Sequence, residues 1–95
     1  MSAYVFAENV VEDPGMFGDY IAKVTATVLA RGGRYLVRAG RTETAEGDWA
    51  PHGLVVIEFE SMEKAREWYD SPEYSAIKGL RQNSARSSLV MAAGV

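Results

Sequence analysis

Hydrophobic positions along this chain change their spacing several times, and each change marks an element. Residues 3–11 (AYVFAENVV) crowd β-branched and aromatic types together and predict a strand. Asp13-Pro14 follows, an acidic N-cap with proline at the first helical position. Phe17, Ile21, Val24 and Val28 then recur at i, i+4, i+7 and i+11, which is one face of a helix. Gly32-Gly33 ends that helix, because glycine accepts the left-handed conformation a helix terminus often needs. Residues 34–39 (RYLVRA) predict a second strand, with Tyr35 and Val37 on one face and Leu36 and Arg38 on the other. A polar stretch, residues 40–53, is too long for a tight hairpin and leads into residues 54–59 (LVVIEF), the clearest strand of all. Ser61 caps a helix whose inner face carries Met62, Ala65 and Tyr69, with Trp68 beside it. Ser71-Pro72 restarts the helix at a new angle and places Tyr74, Ile77 and Arg81 on one face. Residues 87–92 (SSLVMA) predict the closing strand.

The order β-α-β-β-α-β is the split βαβ, or ferredoxin-like, arrangement: an α+β fold with a four-stranded antiparallel sheet. Such a sheet with one face in water alternates apolar and polar residues. Residues 54–59 do not, because Leu54 and Val56 are as apolar as Val55, Ile57 and Phe59, and residues 3–11 set Val5 against Tyr4 and Phe6. Two helices can cover only one face of a four-stranded sheet. A second copy's sheet is the simplest cover, giving a homodimer with two sheets packed face to face.

Composition sharpens this reading. Ninety-five residues make one domain, 1–95, whose own core stabilises it only marginally. Small domains of this kind draw on disulfides, a metal or a partner subunit. With no cysteine and a single histidine, disulfides, thiolate chemistry and the common zinc sites are excluded, so neither metal nor organic cofactor is expected and a partner subunit remains. A net charge of −3 with scattered lysines and arginines argues against nucleic acid and anionic membranes as partners. The N-terminal residues Met1 to Phe6 carry no positive n-region and no apolar run is long enough to span a bilayer, so a cytosolic, cytoplasmic protein is expected.

The segments Asp13-Pro14, Gly32-Gly33-Arg34-Tyr35-Leu36-Val37-Arg38, Glu46-Gly47-Asp48-Trp49, Val56-Ile57-Glu58-Phe59 and Ala65 to Tyr74 (AREWYDSPEY), together with Arg81, resemble the "domain of unknown function 1330" family over nearly the whole chain. The resemblance implies membership of the dimeric α/β-barrel superfamily and supplies no reaction. It also implies that arginine is commoner where this chain has His52, which counts against a catalytic role for that histidine.

Candidate chemistry is sparse. Arg38 and Glu58 are charges within apolar strands, where desolvation demands a partner; they are either pocket groups or an ion pair. Trp68, Tyr74 and Arg81 lie on the second helical segment, where the Ser71-Pro72 break is expected to open a gap over the sheet. Aromatic rings with one arginine suit a small ligand carrying a ring and a carboxylate or phenolate, though helix aromatics also serve as plain core. Tyr20 sits at the edge of the first helix's apolar stripe and can close the same cleft, or be an ordinary half-buried tyrosine. Trp49 in the polar loop is either a dimer arm or a lid, and His52 is the only side chain that titrates near neutrality. No phosphate-binding turn is present. Two functions are therefore open: a small-molecule-binding protein or cofactor-independent enzyme acting on a small acidic or aromatic metabolite in a sheet–helix cleft, and a non-catalytic dimer serving another protein. No catalytic residue is assigned.

Overall fold

In the computed structural model, which describes residues 1–95, the elements run β1 (Ala3–Val11), α1 (Pro14–Ala30), β2 (Arg34–Arg38), β3 (Val55–Phe59), α2 (Met62–Tyr69), α3 (Pro72–Ser84) and β4 (Ala85–Ala93). The strands form one sheet in the order β2-β3-β1-β4, every neighbouring pair antiparallel. This is the ferredoxin-like arrangement, with β3 starting one residue later and β4 two residues earlier than the sequence pattern implies.

Each helix begins where a side chain takes up a free backbone N–H. Asp13 accepts from the Met16 amide at 3.1 Å, Ser61 from Lys64 at 3.1 Å and Ser71 from Tyr74 at 3.2 Å. Ser71 also donates its hydroxyl proton to the Trp68 carbonyl at 2.7 Å, so one buried serine ends α2 and starts α3. After α1 the chain turns through Gly32 at φ +80°, and Gly33 passes so near the core that a Cβ would lie 2.7 Å from the Phe59 ring.

Register assigns the faces. Ala3, Val5, Ala7, Asn9 and Val11 of β1 alternate with Tyr4, Phe6, Glu8 and Val10, and direct cross-strand partners share a face. The helix side therefore holds Val5, Ile57 and Phe59 against Val24, Val28, Ala65, Trp68, Tyr74 and Ile77. The outer side carries Phe6, Val56 and Val90, with Val90 60% exposed.

Three local expectations change. In α1 the buried stripe is Tyr20, Val24, Thr27 and Val28, while Ile21 turns outward. The rotation is possible because two polar groups find partners on other helices: Thr27 Oγ1 donates to the Val24 carbonyl and accepts from Trp68 Nε1, and the Tyr20 hydroxyl meets that of Tyr74. In α2 the inner residues are Ala65 and Trp68; Met62 is exposed and Tyr69 packs edge-on against Trp68. In β2 a bulge interrupts pairing, with Tyr35 opposite Ile57 but Val37 opposite Val56. The extra residue, Leu36, resets the alternation. Tyr35 and Arg38 consequently share the helix-facing side, and the Arg38 guanidinium lies 4.3 Å above the centre of the Tyr35 ring.

Candidate functional site

A cavity of about 100 Å³ opens between α1 and the helix-facing side of the sheet. Its floor is Val5, Ala7 and Asn9 of β1 with Val55 and Ile57 of β3; its roof is Phe17, Tyr20, Ile21 and Val24 of α1. Tyr35 and Arg38 flank it on the β2 side, and Trp68, Leu89 and Arg81 also line it. Ala7 is a small residue on the floor, and partly buried Phe17 and exposed Ile21 stand along the rim. Twelve of the sixteen lining residues are hydrophobic, so the polar groups are few and each one matters.

Arg81 is the most consequential of them. It is only 4% exposed, yet it takes part in none of the ion pairs of this protein. Its Nε donates to the Tyr74 hydroxyl at 3.3 Å and its Nη1 to Ser87 Oγ at 2.6 Å. Burial pulls its pKa down, but Tyr74, Tyr20 and Tyr69 outweigh that and hold the group above its ordinary value, so it stays cationic. Arg81 also borders a shallow groove with Tyr69, Gln82 and Ser87 on the far side.

The Tyr20 hydroxyl stands 2.9 Å from that of Tyr74. Burial, reinforced by Tyr74, drives the Tyr20 pKa well above the normal phenol range, so Tyr20 is a neutral O–H and never a base at physiological pH. On the floor, Asn9 is nine-tenths buried and its Oδ1 has no hydrogen-bond partner. An orphaned acceptor of this kind is rare in folded proteins and calls for an explanation. At the flank, burial raises the Tyr35 phenol, while Thr25 and Arg38 pull against it; Arg38 also hydrogen-bonds Thr25 Oγ1.

The residues singled out from sequence separate into two groups. Tyr20, Arg38, Trp68 and Arg81 line this cavity, and Tyr74 stands directly behind Tyr20. Glu58 points to the opposite face of the sheet, where Arg34 binds it at 2.7 Å and, with Ser2, holds its carboxyl below the usual carboxylate range. His52 is exposed and makes only backbone bonds, its carbonyl accepting from the Asn9 amide at 2.9 Å and its N–H donating to Glu8 at 3.1 Å. Trp49 lies over the outer face with Phe6, Leu54 and Val90, away from the cavity. The gap expected at the Ser71-Pro72 break is filled, because the Trp68 and Tyr74 rings pack there at 4.2 Å between centres. The open space lies under α1 instead.

Sequence reasoning missed Asn9 and Tyr35. For Asn9 a signal was present: it shares parity with Val5, Ala7 and Val11, so an amide stands at a core-facing position of an alternating strand. Tyr35 meets Arg38 only because of the bulge, which no spacing rule announces.

No group of three or more His, Asp or Glu side chains is placed to hold a metal ion, and no helix is long and apolar enough to cross a membrane. Among solved structures, the RPA0582 protein of Rhodopseudomonas palustris, of unknown function, superposes with a TM-score of 0.77 at 14% identity, over 99% of this chain and 82% of that one. A dimeric ferredoxin-like protein of unknown function from Jannaschia sp. CCS1 gives 0.71 at 12% identity, over 99% and 100%. SnoaB, a cofactor-independent oxygenase from Streptomyces nogalater, gives 0.64 at 14% identity, over 99% and 92%. These likenesses are likenesses of fold. A comparison with curated proteins gives no match. The family defined as the domain of unknown function DUF1330 matches residues 2–95, and the chain belongs to that family.

Proposed function

We propose that this chain is a homodimeric small-molecule-binding protein whose ligand, a small acidic or aromatic metabolite, enters between α1 and the sheet, and that any reaction there proceeds without a bound cofactor. One observation carries the reading: an apolar cavity lined by a buried arginine that has no carboxylate partner. Taking a guanidinium out of water costs several kcal/mol, and hydroxyl partners offset only part of that. A ligand's anionic oxygen supplies the rest. That a cofactor-independent oxygenase shares the fold supports the cofactor-free part of the reading.

The second copy belongs on the outer sheet face. Phe6, Leu36, Trp49 and Val90 stand exposed on or around it, more apolar surface than a small monomer ordinarily leaves in water. Fold neighbours described as dimeric support the same assembly. We place the protein in the cytosol, a reducing compartment that suits a chain without cysteine.

The test is a thermal-shift screen of small carboxylic acids and phenols against the wild type and Ile21→Trp. Ile21 is exposed at the cavity rim, so an indole there plugs the opening without entering the core. At least one compound should raise the melting temperature of the wild type and leave the variant unmoved. A screen without a hit, or a hit that Ile21→Trp retains, overturns the proposal.

A further inference from the structure

We propose that the cavity selects the anionic form of a hydroxy-aromatic or enolic acid, because the chain Arg81–Tyr74–Tyr20 is polarised in one direction and ends in a Tyr20 O–H that has no acceptor within the protein. This inference rests on the reading of the cavity as a ligand site and specifies its chemistry.

Direction follows from donor counting. A guanidinium has N–H groups and no acceptor, so at the 3.3 Å contact the Tyr74 oxygen accepts from Arg81. Tyr74 is fully buried, and the only other group its hydroxyl meets is Tyr20, at 2.9 Å. A buried O–H without an acceptor is costly, so Tyr74 gives its proton to the Tyr20 oxygen. The Tyr20 proton is then left with no acceptor in the protein, and Tyr20 is a wall of the cavity. A row of hydrogen bonds that starts at a fixed positive charge strengthens the last donor, and such a donor favours an acceptor that carries negative charge.

Asn9 supplies the second half of the specification. It lines the floor beneath α1, and its Oδ1, buried without a partner, is the acceptor that a small turn of the side chain would offer to a ligand O–H or N–H. The ligand thus presents an anionic oxygen toward Tyr20 and Arg81, and a donor on the same apolar body adds a further bond to Asn9. Size limits that body: an engineered apolar cavity of about 150 Å³ holds benzene. The cavity of about 100 Å³ therefore accepts a single ring that projects past Phe17 and Ile21 at the rim.

The experiment uses 4-nitrophenol, whose ionised form is read from its absorbance, and 4-nitroanisole, which has the same ring but cannot ionise. Wild-type protein should bind 4-nitrophenol as the phenolate, lowering the probe's apparent pKa by at least about one unit, and should bind 4-nitroanisole at least tenfold more weakly. Tyr20→Phe should lose roughly ten- to a hundredfold in affinity for the phenolate, the range of one hydrogen bond to a charged group, with 4-nitroanisole unaffected. Arg81→Met should show the same pattern and serves if Tyr20→Phe does not fold. Equal binding of both probes by the wild type, or a loss in Tyr20→Phe that is the same for both, overturns anion selection while the cavity reading stands. If neither probe binds, the cavity reading fails and this inference fails with it.

Discussion

Replacing Arg81 by methionine separates what the buried cation does for folding from what it does for a ligand. The substitution keeps an unbranched side chain and removes the charge along with two hydrogen bonds, to Tyr74 at 3.3 Å and to Ser87 at 2.6 Å. Those bonds are worth about 1 kcal/mol each, with the charge raising the shorter one toward about 2. Neither acceptor is orphaned, since Tyr74 keeps its contact with Tyr20 and half-buried Ser87 can reach water. Against this loss of about 2–3 kcal/mol stands the desolvation of a guanidinium that no carboxylate repays, itself several kcal/mol. The net expectation for the ligand-free protein is a change between zero and about 2 kcal/mol toward greater stability. Urea unfolding at neutral pH and matched protein concentration reads it, as a midpoint that holds or rises with an unchanged slope. A loss of about 3–5 kcal/mol, the range for breaking a buried ion pair, would falsify the reasoning and make Arg81 a structural partner. A stabilised Arg81→Met that no longer binds anions is the usual exchange of stability for function.

Val90→Asp puts a charge on the outer sheet face opposite Phe6, where a monomer tolerates it, and should convert the proposed dimer to a species near 10.4 kDa in sedimentation with its circular dichroism intact. Persistence of the dimer would rule out that face as the interface. Gly33→Ala drives a methyl to 2.7 Å from the Phe59 ring and 2.8 Å from Val28, and should cost about 1–3 kcal/mol in thermal or chemical unfolding; a neutral result would mean the helix–strand turn is slack. Arg34 and Ser2 hold Glu58, and Arg31 holds Glu73, below the ordinary carboxylate value of 4.5. Because these pKa values are lower folded than unfolded, the stability they add is present above that value and lost as pH falls through the folded ones. The acid limb of a stability–pH curve should therefore flatten in Glu58→Gln/Glu73→Gln, and an unaltered limb would contradict the assignment.

Much of this architecture was legible along the chain because its causes are local. Caps at Asp13, Ser61 and Ser71, prolines at the first helical positions and glycines after α1 act through neighbouring backbone, so they place helix boundaries without knowledge of the fold. The two-sided apolar character of β1 and β3 pointed to an outer face in need of cover, since alternation has a period of two whatever surrounds the strand. Family resemblance agreed with that reading and added no chemistry.

The site was less legible because its decisive features are meetings between distant residues. Tyr20 falls at the edge of its helix's apolar stripe; it is buried because its hydroxyl meets that of Tyr74, fifty-four positions away. The gap expected at the Ser71-Pro72 break does not exist, since Trp68 turns its ring onto Tyr74 and its N–H onto Thr27. Arg38 faces the cavity rather than the outer side only because one extra residue in β2 resets its parity. Glu58, an equal candidate in the sequence, went to the opposite face by the same alternation and found Arg34 there. By itself, then, the sequence determined the elements, their order and the presence of one arginine among aromatics on the last helix, because propensity, capping and periodicity depend on a few neighbouring residues. Only the tertiary structure decided that this arginine is buried without a counter-ion beside a cavity, because burial and charge pairing depend on which distant side chains pack together.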